Sequence, residues 1–233
     1  MLDLDFEVAG YQVHDVLKHV SQAVRDNNSA FDIYHQQRRL EDDGATLEQL
    51  SKSLDDNASS HNAAWELDKF KFLPMVCKAY TDMPGKDWYV FMEADTYFDW
   101  DNLLSWLLQL DASKMLYIGL PSFMSGTKFN HGGSGYVLSG PAMRAFASQY
   151  PSMASVWDVR ATEECCGDYV LTLSLKEVDV EVSGVWPMLS GEPPLKTPFG
   201  PALWCQPVIT LQHVTPMNCE LCGYAITSST RRR

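Results

Sequence analysis

The residues best placed to do chemistry are carboxylates that follow apolar runs. Glu93-Ala94-Asp95 comes directly after Trp88-Tyr89-Val90-Phe91-Met92. Two carboxylates one residue apart point the same way, so beyond a strand end both can face one cation. Hard oxygen ligands suit Mg²⁺ or Mn²⁺, which can bridge a diphosphate and neutralise charge on a departing group. The same tripeptide also reads as a solvated acidic turn, with Asp95 or Thr96 capping the next helix. Gly132-Gly133-Ser134-Gly135 permits positive φ and close approach of a ligand to backbone. Its plainer reading is a tight turn before a strand, and it lacks the G-x-G-x-x-G spacing of a dinucleotide fingerprint. In Glu163-Glu164-Cys165-Cys166-Gly167-Asp168, an acid at a helix start is either a cap on unpaired N–H groups or a general base. His213 ends an apolar run and reads either as a packed core histidine or as a metal ligand.

The six cysteines are too few for a disulfide-built miniprotein. Cys165-Cys166 and Cys205 suggest one or two structural disulfides in an oxidising lumen, and Cys77 reads as a small core residue. Cys219-Glu220-Leu221-Cys222 is a single C-x-x-C, a weak zinc signal without a second pair.

The elements that must hold these groups follow from periodicity. Trp88 to Met92 lacks alternation, which predicts a strand buried on both faces of a parallel sheet. Trp100 to Leu110 has a helical apolar face, and Met115 to Gly119 reads as a further strand, which together make a βαβ unit. Ala63, Ala64, Leu67, Phe70, Leu73, Met75 and Val76 recur at helical spacing, with Pro74 a kink or an end. Helices are predicted at Pro141 to Gln149 and Asp168 to Lys176, and strands at Val178 to Val182 and Pro207 to His213. Residues 1–60 form a poorly defined segment with a short helix near Val13 to Val20 and a polar loop or weak helix from Leu40 to Ser60. Residues 61–215 carry the patterned domain, and 216–233 read as a disordered tail.

Composition narrows the partners. With 18 basic and 30 acidic residues the chain carries a net charge of −12, which disfavours nucleic acid because a polyanion needs a basic face. The 45% hydrophobic share supplies a core, yet no run approaches the roughly 18 apolar residues of a membrane span. The start, Met1-Leu2-Asp3-Leu4-Asp5, lacks the layout of a signal peptide.

Three motifs in order resemble glycosyltransferase family 31: Trp88 through Glu93-Ala94-Asp95-Thr96-Tyr97, His131-Gly132-Gly133-Ser134-Gly135 through Ser139, and Cys166-Gly167-Asp168-Tyr169-Val170-Leu171. Asn62-Ala63-Ala64-Trp65-Glu66-Leu67-Asp68-Lys69, and Pro198 to Pro201 with Trp204-Cys205-Gln206-Pro207, resemble the fungal branch, akin to core 1 β1,3-galactosyltransferases and Fringe enzymes. The resemblance spans roughly residues 60 to 215.

The resemblance implies a GT-A-like, Rossmann-like α/β fold with a mixed, mostly parallel central sheet flanked by helices. It also implies Mn²⁺ (or Mg²⁺), a UDP-sugar donor, a glycoprotein or glycolipid acceptor and inversion in a β1,3 transfer, with galactose the expected sugar. Asp95 would ligate the metal with Glu93 in support, while Ala94 stands where the family has a second Asp. Asp68, Lys69, Gly132, Gly133 and Ser134 would lie at the donor, and His213 would be the late metal ligand, preceded by Gln212. Asp168 would be the base, with Glu164 the alternative. Family members carry an N-terminal anchor and a first βαβ half, so this chain is expected to be incomplete at its N-terminus, and its compartment would be the Golgi or secretory lumen. A catalytically silent relative that binds glycans or assists folding is the other reading, favoured by Ala94 and the missing half.

Overall fold

A computed structural model of the chain describes residues 3–46, 48–50, 58–197, 200–201, 203 and 205–215. The Cys219/Cys222 pair, the expected tail at 216–233, and Pro198, Phe199 and Trp204 of the fungal-type motif lie outside the described residues. The chain divides into two compact units: Met1–Pro84 with Ala145–Ser174, and Gly85–Arg144 with Leu175–Arg233. Residues 1–60 therefore share a unit with 61–84.

The first unit begins with a hairpin, β1 (Phe6–Val8) and β2 (Tyr11–Val13), where a single helix was expected over Val13 to Val20. Ala9 and Gly10 both adopt positive φ, which suits a two-residue hairpin turn. Only Leu17–His19 is helical in that stretch, as one 3₁₀ turn. Helices α1 (Gln22–Asn27) and α2 (Asp32–Asp42) follow, so the stretch expected to be a polar loop or weak helix is helical as far as Asp42. The next helical run breaks in two, α3 (Ala58–Asp68) and α4 (Phe72–Asp82). Pro74 sits in the first turn of α4, where its missing N–H lies among donors that lack partners anyway. It belongs to a helix start rather than an end. Phe31 packs on Phe70 at 4.8 Å, with Leu17, Leu67, Val76, Phe146, Trp157 and Leu171 fully buried around the unit's interior.

Buried polarity also holds this unit. Asp15 is 1% exposed, and its carboxylate accepts the Tyr34 hydroxyl at 2.7 Å and the Lys18 amide at 3.2 Å. Burial first, and then the Asp15 carboxylate, push the Tyr34 phenol up to about 12.

In the second unit β3 (Trp88–Phe91), β5 (Tyr117–Met124), β6 (Thr127–Ser139) and β7 (Val182–Gly184) form a four-stranded sheet in the order β3-β6-β5-β7. β6 runs antiparallel to both β3 and β5, and β5–β7 is the single parallel pairing in it. The fold is α/β and the sheet is mixed, as expected, but its antiparallel pairings outnumber the parallel one where a mostly parallel sheet was expected. A strand-helix-strand pattern fixes the direction of β3 and β5 without fixing what lies between them, and the long β6 fills that place. β3 packs on both faces, Tyr89 and Phe91 buried on one and Trp88 and Val90 partly buried against the Phe98, Ile118 and Val137 cluster on the other.

Helix α5 (Trp100–Leu107) starts where Asp99 accepts the Asn102 amide at 2.9 Å, so the cap is Asp99 and neither Asp95 nor Thr96. Its Leu103 and Leu107 join Phe98, Ile118, Val137 and Ile209 in the unit's core. β4 (Tyr97–Phe98) pairs with β8 (Thr210–Leu211), a two-residue remnant of the strand expected from Pro207 to His213.

Helix α6 (Gly140–Glu163) runs through Pro151, well past the expected end at Gln149. Proline forfeits one hydrogen bond and crowds the preceding turn, and burial of Phe146, Tyr150, Trp157 and Ala161 on the same helix offsets that loss. Helix α7 (Gly167–Lys176) begins one residue before the expectation. Val178 and Val180 are buried in a turn bearing Asp179 at φ 60°, which displaces the expected strand to β7. Among the described residues no helix is long and apolar enough to cross a membrane.

Because the folded state holds the Tyr34 proton more tightly than an unfolded chain titrating near pH 10, its stabilisation is full below about pH 10 and fades toward 12. Tyr34→Phe should lower the unfolding free energy at pH 7 by about 2 kcal/mol and remove that share of the alkaline loss. Urea unfolding from pH 7 to 11 checks both.

Candidate metal and donor site

The site grows from the β4–β8 register. Phe98 pairs with Thr210 and Tyr97 with Leu211, so extending the ladder two residues sets Asp95 opposite His213. Three bonds hold that register: the Asp99 amide to the Ile209 carbonyl, the Val214 amide to the Asp95 carbonyl, and the Asn102 side-chain amide to the Val208 carbonyl, each 2.9 Å. As a result His213 Nδ1 lies 3.2 Å from Asp95 Oδ2, across 118 positions of sequence. The side chains are 65% and 45% exposed, so the pair faces solvent. His213 is thus no packed core histidine.

His213 also has φ 55°, a left-handed conformation that costs a non-glycine residue about 1–2 kcal/mol. Strain of this kind persists only where surrounding bonds impose it, and here the ladder and the Val214 amide do so.

Beneath the pair lies the glycine segment. Gly119 of β5 faces Tyr136 while Leu120 faces His131, so Gly132 to Gly135 leave the β5 ladder as a four-residue bulge inside β6. The expected tight turn is therefore a bulge within a strand. Gly135 has φ 76°, and a Cβ there would come within 2.9 Å of Phe98 Cζ. A Cβ at Gly133 would be driven into the Gln212 amide, which lies across it. The Thr96 hydroxyl donates to the Gly133 carbonyl at 2.7 Å, and Ser134 donates to the His131 carbonyl at 2.9 Å. Gly132, Gly133 and Ser134 are buried, and the segment packs against the neighbours of the pair, Thr96 and Gln212.

The donor set suits a cation that brings its own oxygens. The 3.2 Å between His213 Nδ1 and Asp95 Oδ2 is the length of a hydrogen bond, and it also lies near the roughly 3.0 Å between two cis ligands of an octahedral Mg²⁺ or Mn²⁺. Mg²⁺ sites of this kind typically use one or two protein carboxylates plus substrate phosphates and waters. No group of three His, Cys, Asp or Glu that could hold a metal gathers among the described residues, so Glu93, which is exposed, does not complete a triad. Ala94 is exposed too.

The remaining expected site residues belong to the first unit. Lys69 is 8% exposed, with its ammonium 3.1 Å from the Glu164 carbonyl and 3.4 Å from Glu66. Asp68 accepts from Lys71 at 2.6 Å. Both are thereby engaged inside that unit. Asp168 is 8% exposed in the first turn of α7, and its Oδ1 accepts the Tyr169 amide at 2.8 Å, the arrangement of a helix-start carboxylate. Just before it, Cys165 and Cys166 are joined to each other by a vicinal disulfide, while Cys77 and Cys205 are free thiols. The expected bond involving Cys205 is corrected on that account.

Sequence reasoning missed Thr96 and undervalued Gln212. Its only signal for either was position, one residue from each member of the pair.

If His213 is strained as its backbone indicates, His213→Gly should be more stable than His213→Ala by about 1 kcal/mol, the reverse of the usual order. Guanidinium unfolding of the two variants measures the difference. Neither a scan of protein-family models nor a search of curated proteins finds a match to this chain, so its own geometry carries the functional argument.

Proposed function

We propose that this chain is a metal-dependent inverting glycosyltransferase that moves a sugar, galactose by resemblance, from a UDP-sugar to a glycan hydroxyl in β1,3 linkage. The observation that supports it is the exposed Asp95–His213 pair at an octahedral edge length beyond the end of β3, seated on a glycine bulge. A glycoprotein or glycolipid is the acceptor on this reading, and the secretory lumen is its compartment. The Cys165–Cys166 disulfide accords with an oxidising compartment.

Asp95 and His213 would hold the divalent ion, and the ion when bound would offset charge developing on the diphosphate. Asp95 supplies a charged oxygen and His213 a nitrogen, oriented by the Val214 amide and the β4–β8 ladder. Thr96 and Gln212 keep the bulge packed against the pair, which limits its freedom to move. The base assigned by resemblance is Asp168, with Glu164 the alternative.

A second reading, a catalytically silent relative that keeps the scaffold as a glycan-binding or folding-helper protein, draws on specific observations. Ala94 offers no group to a sugar, and Asp68 and Lys69 are engaged in contacts within the first unit.

Release of UDP from UDP-galactose, followed with and without Mn²⁺, separates the two. The enzyme reading expects Mn²⁺-dependent release that falls at least about a hundredfold in Asp95→Ala. Asp168→Asn should lose about as much while leaving Mn²⁺ affinity unaltered. Saturable UDP–Mn²⁺ binding with no release from any UDP-sugar supports the silent reading.

A further inference from the structure

A cavity of about 330 Å³ lies within the first unit, apart from the site above. Pro74 of α4 and Pro151 and Ala154 of α6 give it apolar walls, and Tyr150 lines it from the same helix. Tyr150 is 5% exposed and stacks on Phe146 at 5.2 Å, yet its hydroxyl makes no hydrogen bond to any described residue. That hydroxyl is not among the fully buried side-chain atoms that lack a partner, so it keeps contact with solvent and offers a free donor at the cavity wall.

The charges at the cavity cancel. The Lys78 ammonium lies 2.9 and 2.8 Å from the two Asp82 oxygens, which leaves no lone charge to favour an ionic guest. His19 and Thr81 complete the polar part of the lining.

We propose that this cavity binds a neutral, single-ring organic molecule whose oxygen accepts a hydrogen bond from the Tyr150 hydroxyl. Size agrees: a cavity of about 150 Å³ takes benzene, and ligand pockets begin at about 300 Å³. Apolar walls would enclose the ring and the phenol would fix its orientation. Burial raises both the Tyr150 phenol and the Cys77 thiol above their usual ranges, so each keeps its proton and binding is non-covalent.

Isothermal titration of the full chain at pH 8, where an ordinary histidine is neutral, tests this with three probes: acetophenone, ethylbenzene and benzoate. Acetophenone should bind saturably and more tightly than benzoate. Tyr150→Phe should weaken acetophenone by about five- to tenfold and leave ethylbenzene unchanged, the loss expected for one hydrogen bond. Ala154→Phe, which fills the volume one turn along from Tyr150, should abolish binding of both while the circular dichroism spectrum stays the same. The proposal is overturned by no saturable acetophenone binding, by equal acetophenone affinity in Tyr150→Phe, by unimpaired binding in Ala154→Phe, or by preference for benzoate. None of these outcomes depends on transferase activity.

Discussion

The two-residue ladder between β4 and β8 is the constraint on which the candidate site depends. It joins segments more than a hundred residues apart, and side chains alternate across a strand. A slip of one residue would turn either Asp95 or His213 to the opposite face. So short a ladder cannot hold its register alone. The Asp99 and Asn102 bonds to the chain before β8, and the Val214 bond beyond it, clamp both ends. Asp99 serves twice, capping α5 through its side chain and pairing with Ile209 through its amide, so the start of the helix and the placement of His213 are one feature.

The glycine bulge solves a packing problem that this ladder creates. β4 and β8 approach β6 where Phe98 and Gln212 need room, and side chains at 133 or 135 would occupy that room. β6 leaves the β5 ladder for four residues there and rejoins it at Tyr136, whose ring stacks on Phe91 at 4.9 Å and meets Tyr117 edge-on at 5.8 Å. Bulges beside functional sites commonly re-aim side chains. In this chain the bulge is covered by the groups it supports, and its packing bears on the position of Thr96, Asp95 and His213.

Local structure was legible in the sequence where one short segment decides it. The helix at Asp168 to Lys176 and the core face of α5 both depend on residues within a turn or two. Sheet order was not legible, because β6 takes its place beside β3 through pairings 45 to 51 residues apart. The helix expected to end at Gln149 continues because the burial that carries α6 past Pro151 is tertiary. Gly132 to Gly135 read as a turn because composition signals freedom from ordinary backbone limits without saying how it is used. The partnership of Asp95 with His213 came from family resemblance; periodicity carried no trace of it, since register across 118 positions is invisible to any local window.

The central claim is that Asp95 and His213 act as one cation-binding pair. Electron paramagnetic resonance titration of Mn²⁺ into the wild-type chain, Asp95→Ala, His213→Ala and the double variant tests it directly. The account predicts one site in the wild type, weakened at least about tenfold by either single change, with the double change adding less than the sum of the two. Mn²⁺ affinity unaltered in either single variant would contradict it.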